Sequence, residues 1–120
     1  MSSGVHESDL SAETLNVHRA LASMQEELEA VDWYNQRADA TQDSGLEDLL
    51  IHNRNEEIEH ASMLLEYLRR NIPAFDEQLR TYLFTSAPVT EVEESGSADA
   101  ESGGENADSQ AGGLGIGNLS

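Results

Sequence analysis

The sequence predicts an all-helical fold: an antiparallel two-helix hairpin with a short third helix, pairing with a second copy into a four-helix bundle. Three observations predict it. From about Ser11 to Ala40 there is no glycine or proline, and apolar residues recur at Val17, Leu21, Met24, Leu28 and Val31 in helical steps of four and three. A second such stretch runs through Leu46, Leu50, Leu64 and Leu68 to Asn71. Two helices of roughly 30 residues each span roughly 45 Å, and an antiparallel pair that long has apolar faces it cannot cover alone. Self-association into a four-helix bundle covers them.

The elements follow in order. Residues 1–10 read as a flexible N-terminus. The segment Asp39 to Gly45 is polar and reads as a turn. Ser44 with Glu47 three residues on fits a capping box for the second helix. Pro73 stops that helix, and Arg69 and Arg70 in its last turn complement the helix dipole. A shorter helix, about Ala74 to Phe84, completes a helical domain over residues 11–84. Composition then shifts to Gly, Ser, Ala, Asp and Glu with no aromatic residue. Residues 85–111 hold seven acidic residues and no basic one, too polar to offset ordering entropy, and read as a disordered linker. A possible strand near Pro88 to Val92 is the one β-type pattern. Residues 112–120 differ again, with Leu114, Ile116 and Leu119 spaced by small residues. They read either as a plain tail end or as a peptide that docks in apolar pockets of a partner.

Composition excludes several function classes. The 120 residues suffice for one domain with a thin core. There is no cysteine, hence no disulfide, thiolate metal site or thiol nucleophile. No apolar run reaches the roughly 18 residues of a membrane span, and the start lacks a signal-peptide pattern, so a soluble cytoplasmic protein is expected. The net charge is −18, and all six basic residues are arginine. Nucleic acid and anionic membranes are repelled by such a chain. The acidity fits both attraction of cations and adaptation to high salt.

The chemistry lies where carboxylates interrupt apolar stripes. On the second helix the stripe reads Leu46, Leu50, Asn53, Glu57, His60, Leu64, Tyr67. Glu57 and His60 form Glu-x-x-His and project from one face about one turn apart. On the first helix the stripe reads Ala20, Met24, Glu27, Val31, Tyr34, Ala38. A carboxylate taken from water without a partner is costly, so an arginine, hydrogen bonds or a metal must compensate. One chain offers one glutamate and one Glu-x-x-His; two chains offer the full ligand set of a di-iron carboxylate bundle. These donors suit Fe(II), Mn(II) or Zn(II), with iron expected first and manganese second.

Other groups carry two readings each. Tyr34 is either a hydrogen-bond donor to a ligand carboxylate or an ordinary interface tyrosine. Trp33 reads as packing. Glu26 and Glu29 form either an acidic inlet or a plain solvated face. His52, Glu56 and Glu59 share a stripe that holds either a weaker peripheral cation or nothing. His6 and His18 have no assigned partner.

Three stretches resemble the encapsulated ferritins, cargo proteins of encapsulin nanocompartments. They are Glu26-Glu27-Leu28-Glu29-Ala30-Val31-Asp32-Trp33-Tyr34, His52 to Ala61 continuing through Leu65 to Arg70, and Leu79-Arg80-Thr81-Tyr82-Leu83-Phe84-Thr85. The segment Leu114 to Leu119 resembles the encapsulin-targeting peptide. The resemblance implies a ferritin-like half-bundle that dimerises and assembles into a ring, typically a decamer. It implies a ferroxidase centre of two irons per dimer interface, using Glu27, Glu57 and His60 of both partners with Tyr34 nearby. It assigns Glu26 and Glu29 to metal uptake, and His52, Glu56 and Glu59 to a peripheral site. It places the protein inside an encapsulin shell that it enters through residues 112–120. A non-catalytic iron- or manganese-binding helical cargo protein is the alternative.

Overall fold

The computed structural model describes residues 9–98. Most of the N-terminus assigned to 1–10, the linker beyond residue 98 and the peptide 112–120 lie outside the described residues. Within them the fold is all-α: α1 (Ala12–Ala40), α2 (Ser44–Asn71), α3 (Pro73–Tyr82) and α4 (Val89–Ala98). They fall into two compact units, the first ending at Asn71 and the second beginning at Ile72.

The first unit is the hairpin. Ser11 caps α1, its hydroxyl accepting from the backbone N–H of Thr14 at 3.1 Å. The helix ends at Thr41, whose N–H donates to the Arg37 carbonyl. The connection is shorter than the polar composition of Asp39 to Gly45 implies, because both helices run into it and leave only residues 41–43 between them. Asp43, rather than Ser44, caps α2: its Oδ1 accepts from the Leu46 N–H at 3.0 Å and its carbonyl from the Glu47 N–H at 2.9 Å. A carboxylate is the stronger acceptor at the positive end of a helix, and Ser44 is drawn into the first turn. Three-residue connections oblige the helices to run antiparallel as neighbours.

The seam between α1 and α2 is narrow. Its fully or nearly buried residues are Ala20, Ala38, Leu50, Ala61 and Leu68. The α1 stripe from Ala20 to Ala38 turns inward along its whole length, as its spacing predicts. On α2 the buried line passes through Leu50, Ala61 and Leu68, so Leu46 and Tyr67 at the ends of the predicted stripe are exposed and His60 sits at the edge. Leu28, Leu49 and Met63 are more than half exposed. At the end of α2, Arg69 and Arg70 both donate to Glu66 at 2.6–2.8 Å and hold its carboxyl down at about 2.

The second unit pairs α3 with α4. Pro73 begins α3 at the position where a missing N–H costs least, and Arg80 donates to Asp76 one turn back at 3.0 Å. Tyr82 is its last residue, two before the predicted end, since Leu83 already takes extended backbone as the C-cap and Phe84 a left-handed φ of 63°. α4 occupies part of the stretch 85–111 whose composition implies a linker, and it replaces the possible strand near Pro88. The Pro88 carbonyl starts it by accepting from Glu91 and Val92. A Cβ on Gly96 would approach the Thr81 side chain to 3.3 Å, so glycine permits the close approach of α4 to α3.

Asp43→Ala is expected to destabilise the protein by about 1 kcal/mol through loss of the α2 cap. Urea unfolding followed by helical circular dichroism measures it, with Ser44→Ala, which leaves the cap intact, losing less.

Candidate metal centre

Helical spacing and the antiparallel seam bring Glu27, Glu57 and His60 together. One ligand atom from each lies within 4.8 Å of the other two, and no other three histidine or carboxylate groups gather so among the described residues. His60 Nδ1 stands 3.4 Å from Glu27 Oε1 and 3.5 Å from Glu57 Oε1. The side chains of Glu27 and Glu57 are 26% and 24% exposed and that of His60 43%, so the cluster is part-buried with one open side. Glu27 Oε1 is itself buried and accepts no hydrogen bond.

The electrostatics are those of acceptors in search of a cation. Glu27 is raised above its ordinary range. The close Glu57 carboxyl is the largest cause, burial the second and the Glu57 charge the third; His60 opposes them. Burial alone lowers the His60 imidazole, but the carboxylates of Glu27 and Glu57 together outweigh it and raise it above 6.5. A proton is thus the counter-charge available to the free chain. A divalent cation can do the same work. Two carboxylate oxygens and an imidazole nitrogen form a set that suits Fe(II), Mn(II) or Zn(II) and leaves coordination positions open. The buried Glu27 Oε1, which accepts no hydrogen bond, fits such an ion.

The remaining predicted groups are placed less tightly. Tyr34 is half-buried two turns along α1 from Glu27. The Arg37 guanidinium lies over its ring at 5.8 Å and over that of Trp33 at 5.9 Å. Trp33 is half-exposed and lies beneath a cation, where the sequence reading has it as packing. The i to i+3 and i to i+4 spacing of these three residues was the signal for that stack. Glu26 and Glu29 are exposed on α1 beside Glu27. His52 and Glu56 approach to 3.9 Å, and Glu59 does not join them in a three-ligand cluster.

The family model described as EncFtn-like matches residues 4–86. The chain belongs to the EncFtn-like family. An encapsulated ferritin-like protein of Rhodospirillum rubrum is 54% identical over 114 residues, covering 92% of this chain and 81% of the relative. A ferritin-like protein of Thermotoga maritima is 54% identical over 97 residues, covering 81% of this chain and 85% of the relative. The crystal structure of a Nitrosomonas europaea protein is similar with a TM-score of 0.69 and 56% identity, over 72% of this chain and 97% of that one. The EncFtn-like match spans α1, α2 and α3 and ends before α4.

Protons compete with metal here. Both Glu27 and His60 hold protons to higher pH than usual, so metal affinity is expected to begin falling above pH 6.5 and to drop roughly tenfold per pH unit for each proton displaced. Anaerobic Fe(II) titration from pH 8 to 5 checks this; unchanged affinity across that range removes His60 from the ligand set. Glu57→Gln relieves the carboxylate repulsion, so the metal-free variant is expected to melt no lower than wild type. With metal at a hundredfold excess over Kd, wild type should gain about 2.7 kcal/mol and the variant almost none. Calorimetry with and without Co(II) measures both.

Proposed function

We propose that the protein is a ferroxidase that oxidises Fe(II) to Fe(III) at a di-iron centre shared between two copies of the chain. The observation that carries the reading is the cluster of Glu27, Glu57 and His60, in which the buried Glu27 Oε1 accepts no hydrogen bond, in a chain of the EncFtn-like family. One chain supplies half of a two-metal carboxylate set, and a two-fold pair supplies all of it. The exposed apolar side chains of Leu28, Leu49 and Met63 give the hairpin surface to bury against such a partner. We extend the reading to a ring of dimers, a decamer, held in an encapsulin shell through residues 112–120. The Rhodospirillum relative, whose name describes it as encapsulated, supports that placement.

Fe(II) is the substrate. A chain of charge −18 concentrates cations at its surface, and Glu26 and Glu29 flank the approach to Glu27. The carboxylates of Glu27 and Glu57 bind and bridge two ions, and a nitrogen of each His60 completes the hold. Tyr34 lies on the same face of α1 to hydrogen-bond a ligand carboxylate. Each Fe(II) gives up one electron. With dioxygen as acceptor, two electrons and two protons yield hydrogen peroxide; with peroxide as acceptor they yield two waters. The protein orients the ions and lets its carboxylates shift as charge rises, and Fe(III) leaves for mineral stored by the shell.

Titrating the full chain with Fe(II) under air, beside Glu27→Ala and Glu57→Ala, tests this. Wild type should oxidise Fe(II) at least tenfold faster than either variant and bind about one iron per chain in a dimer or larger assembly. Oxidation no faster than in buffer, with metal still bound, leaves an iron- or manganese-binding cargo protein instead.

A further inference from the structure

We infer that Arg54 and Asn35 form a latch that sets the spacing of α1 and α2 at the metal centre, making Arg54 a positioning residue for Fe(II) binding. The inference rests on the ferroxidase reading above and adds to it two residues that are not ligands. Arg54 reaches from α2 to α1 and donates through Nη1 to Asn35 Oδ1 at 3.0 Å. The two residues are 19 positions apart, and only the antiparallel register brings them together. Arg54 Nε and Nη2 both donate to Asn55 Oδ1, at 3.2 and 3.1 Å, which braces the guanidinium plane on its own helix. By contrast Arg69, Arg70 and Arg80 donate to carboxylates within their own helices.

Position gives the latch its effect. Arg54 lies one turn before Glu57, about 4.5 Å along the axis, and Asn35 lies two turns beyond Glu27, about 12 Å along it. The bond therefore ties the two helices at the exposed rim of the seam, between the centre and the 41–43 connection. The glutamates it aligns sit on different helices and repel one another, which favours splaying there. The fully buried alanines of the seam interlock little, and the larger Met24 and Val31 beside them are only half-buried, so a polar tie adds to what packing supplies. A planar guanidinium fixed at one end by Asn55 and at the other by Asn35 holds a direction as well as a distance, which a lysine ammonium does not. Asn35 and Asn55, which accept these bonds, are neutral amides. An ångström of misplacement at a reacting centre is worth orders of magnitude in rate, so a modest tie at this point has leverage.

The test uses the full chain with Asn35→Ala, Arg54→Gln, the double variant and Asn35→Asp. The probes are Co(II), read by its d–d absorption band and Kd, and Fe(II), read by the concentration giving half-maximal oxidation. Helical circular dichroism confirms that each variant is folded. Each single variant should raise the Co(II) Kd and the half-saturating Fe(II) about three- to tenfold and shift the Co(II) band. The double variant should do no worse than either single one, since both remove the same bond. Asn35→Asp, which keeps an acceptor oxygen for the guanidinium, should retain the wild-type band. Single variants with a wild-type Co(II) band and Kd overturn the latch, even if they melt lower, and so do additive losses in the double variant. Wild type that neither binds Co(II) nor oxidises Fe(II) overturns the ferroxidase reading, and the latch with it.

Discussion

Two carboxylates on neighbouring helices, brought together at partial burial, impose the condition to which the rest of the hairpin answers. Glu57 raises the Glu27 carboxyl beside it, and a cation between the two would relieve that crowding. In the free chain a proton and the His60 imidazole meet the condition, which is why both Glu27 and His60 are raised. The arrangement is better satisfied loaded than empty, because the buried Glu27 oxygen has no hydrogen-bond donor of its own. Burial of an acceptor without a donor works against folding unless a ligand later claims it. Under the proposed function that ligand is a metal ion.

The hairpin around this pair is built to be thin. Its fully buried positions hold alanine, with leucine at Leu50 and Leu68; Met24, Val31 and Leu64 are half-buried beside them, and Met63 and Leu28 stay exposed. A thicker seam would hold the backbones apart and carry the glutamates out of mutual reach. The same thinness leaves the helices with little interlocking of their own, so caps such as Asp43 and polar ties across the seam matter more than they do in a leucine-rich pair.

Much of this was legible in the sequence, and the reasons differ from residue to residue. Glu27, Glu57 and His60 stood out because they interrupt apolar stripes of 3.6-residue period, and that period is set by the backbone alone. The helix bounds near Ser11, Ala40 and Asn71 followed from a stretch free of glycine and proline, a polar turn and a proline. The cap of α2 was misplaced by one residue because Asp43 and Ser44 are both capping types, and only the course of the backbone chooses between them. The helix α4 was hidden by composition: its Val, Thr, Gly and Ser content argues against an isolated helix, and it forms against α3. The pairing of Arg54 with Asn35 carried no local signal, since it depends on which turn of one helix faces which turn of the other.

The blandest residues of the chain are among its most constrained. Ala20, Ala38 and Ala61 bear no functional group, yet each is buried in the seam and Ala61 adjoins His60. A larger side chain at any of them wedges the helices apart while leaving every ligand in the sequence. Genetic drift there silences the centre invisibly: a descendant that keeps Glu27, Glu57 and His60 intact can still lose the geometry that brings them together. An inventory of ligands alone would score that descendant as competent; the three methyl groups between the helices would give the better diagnosis.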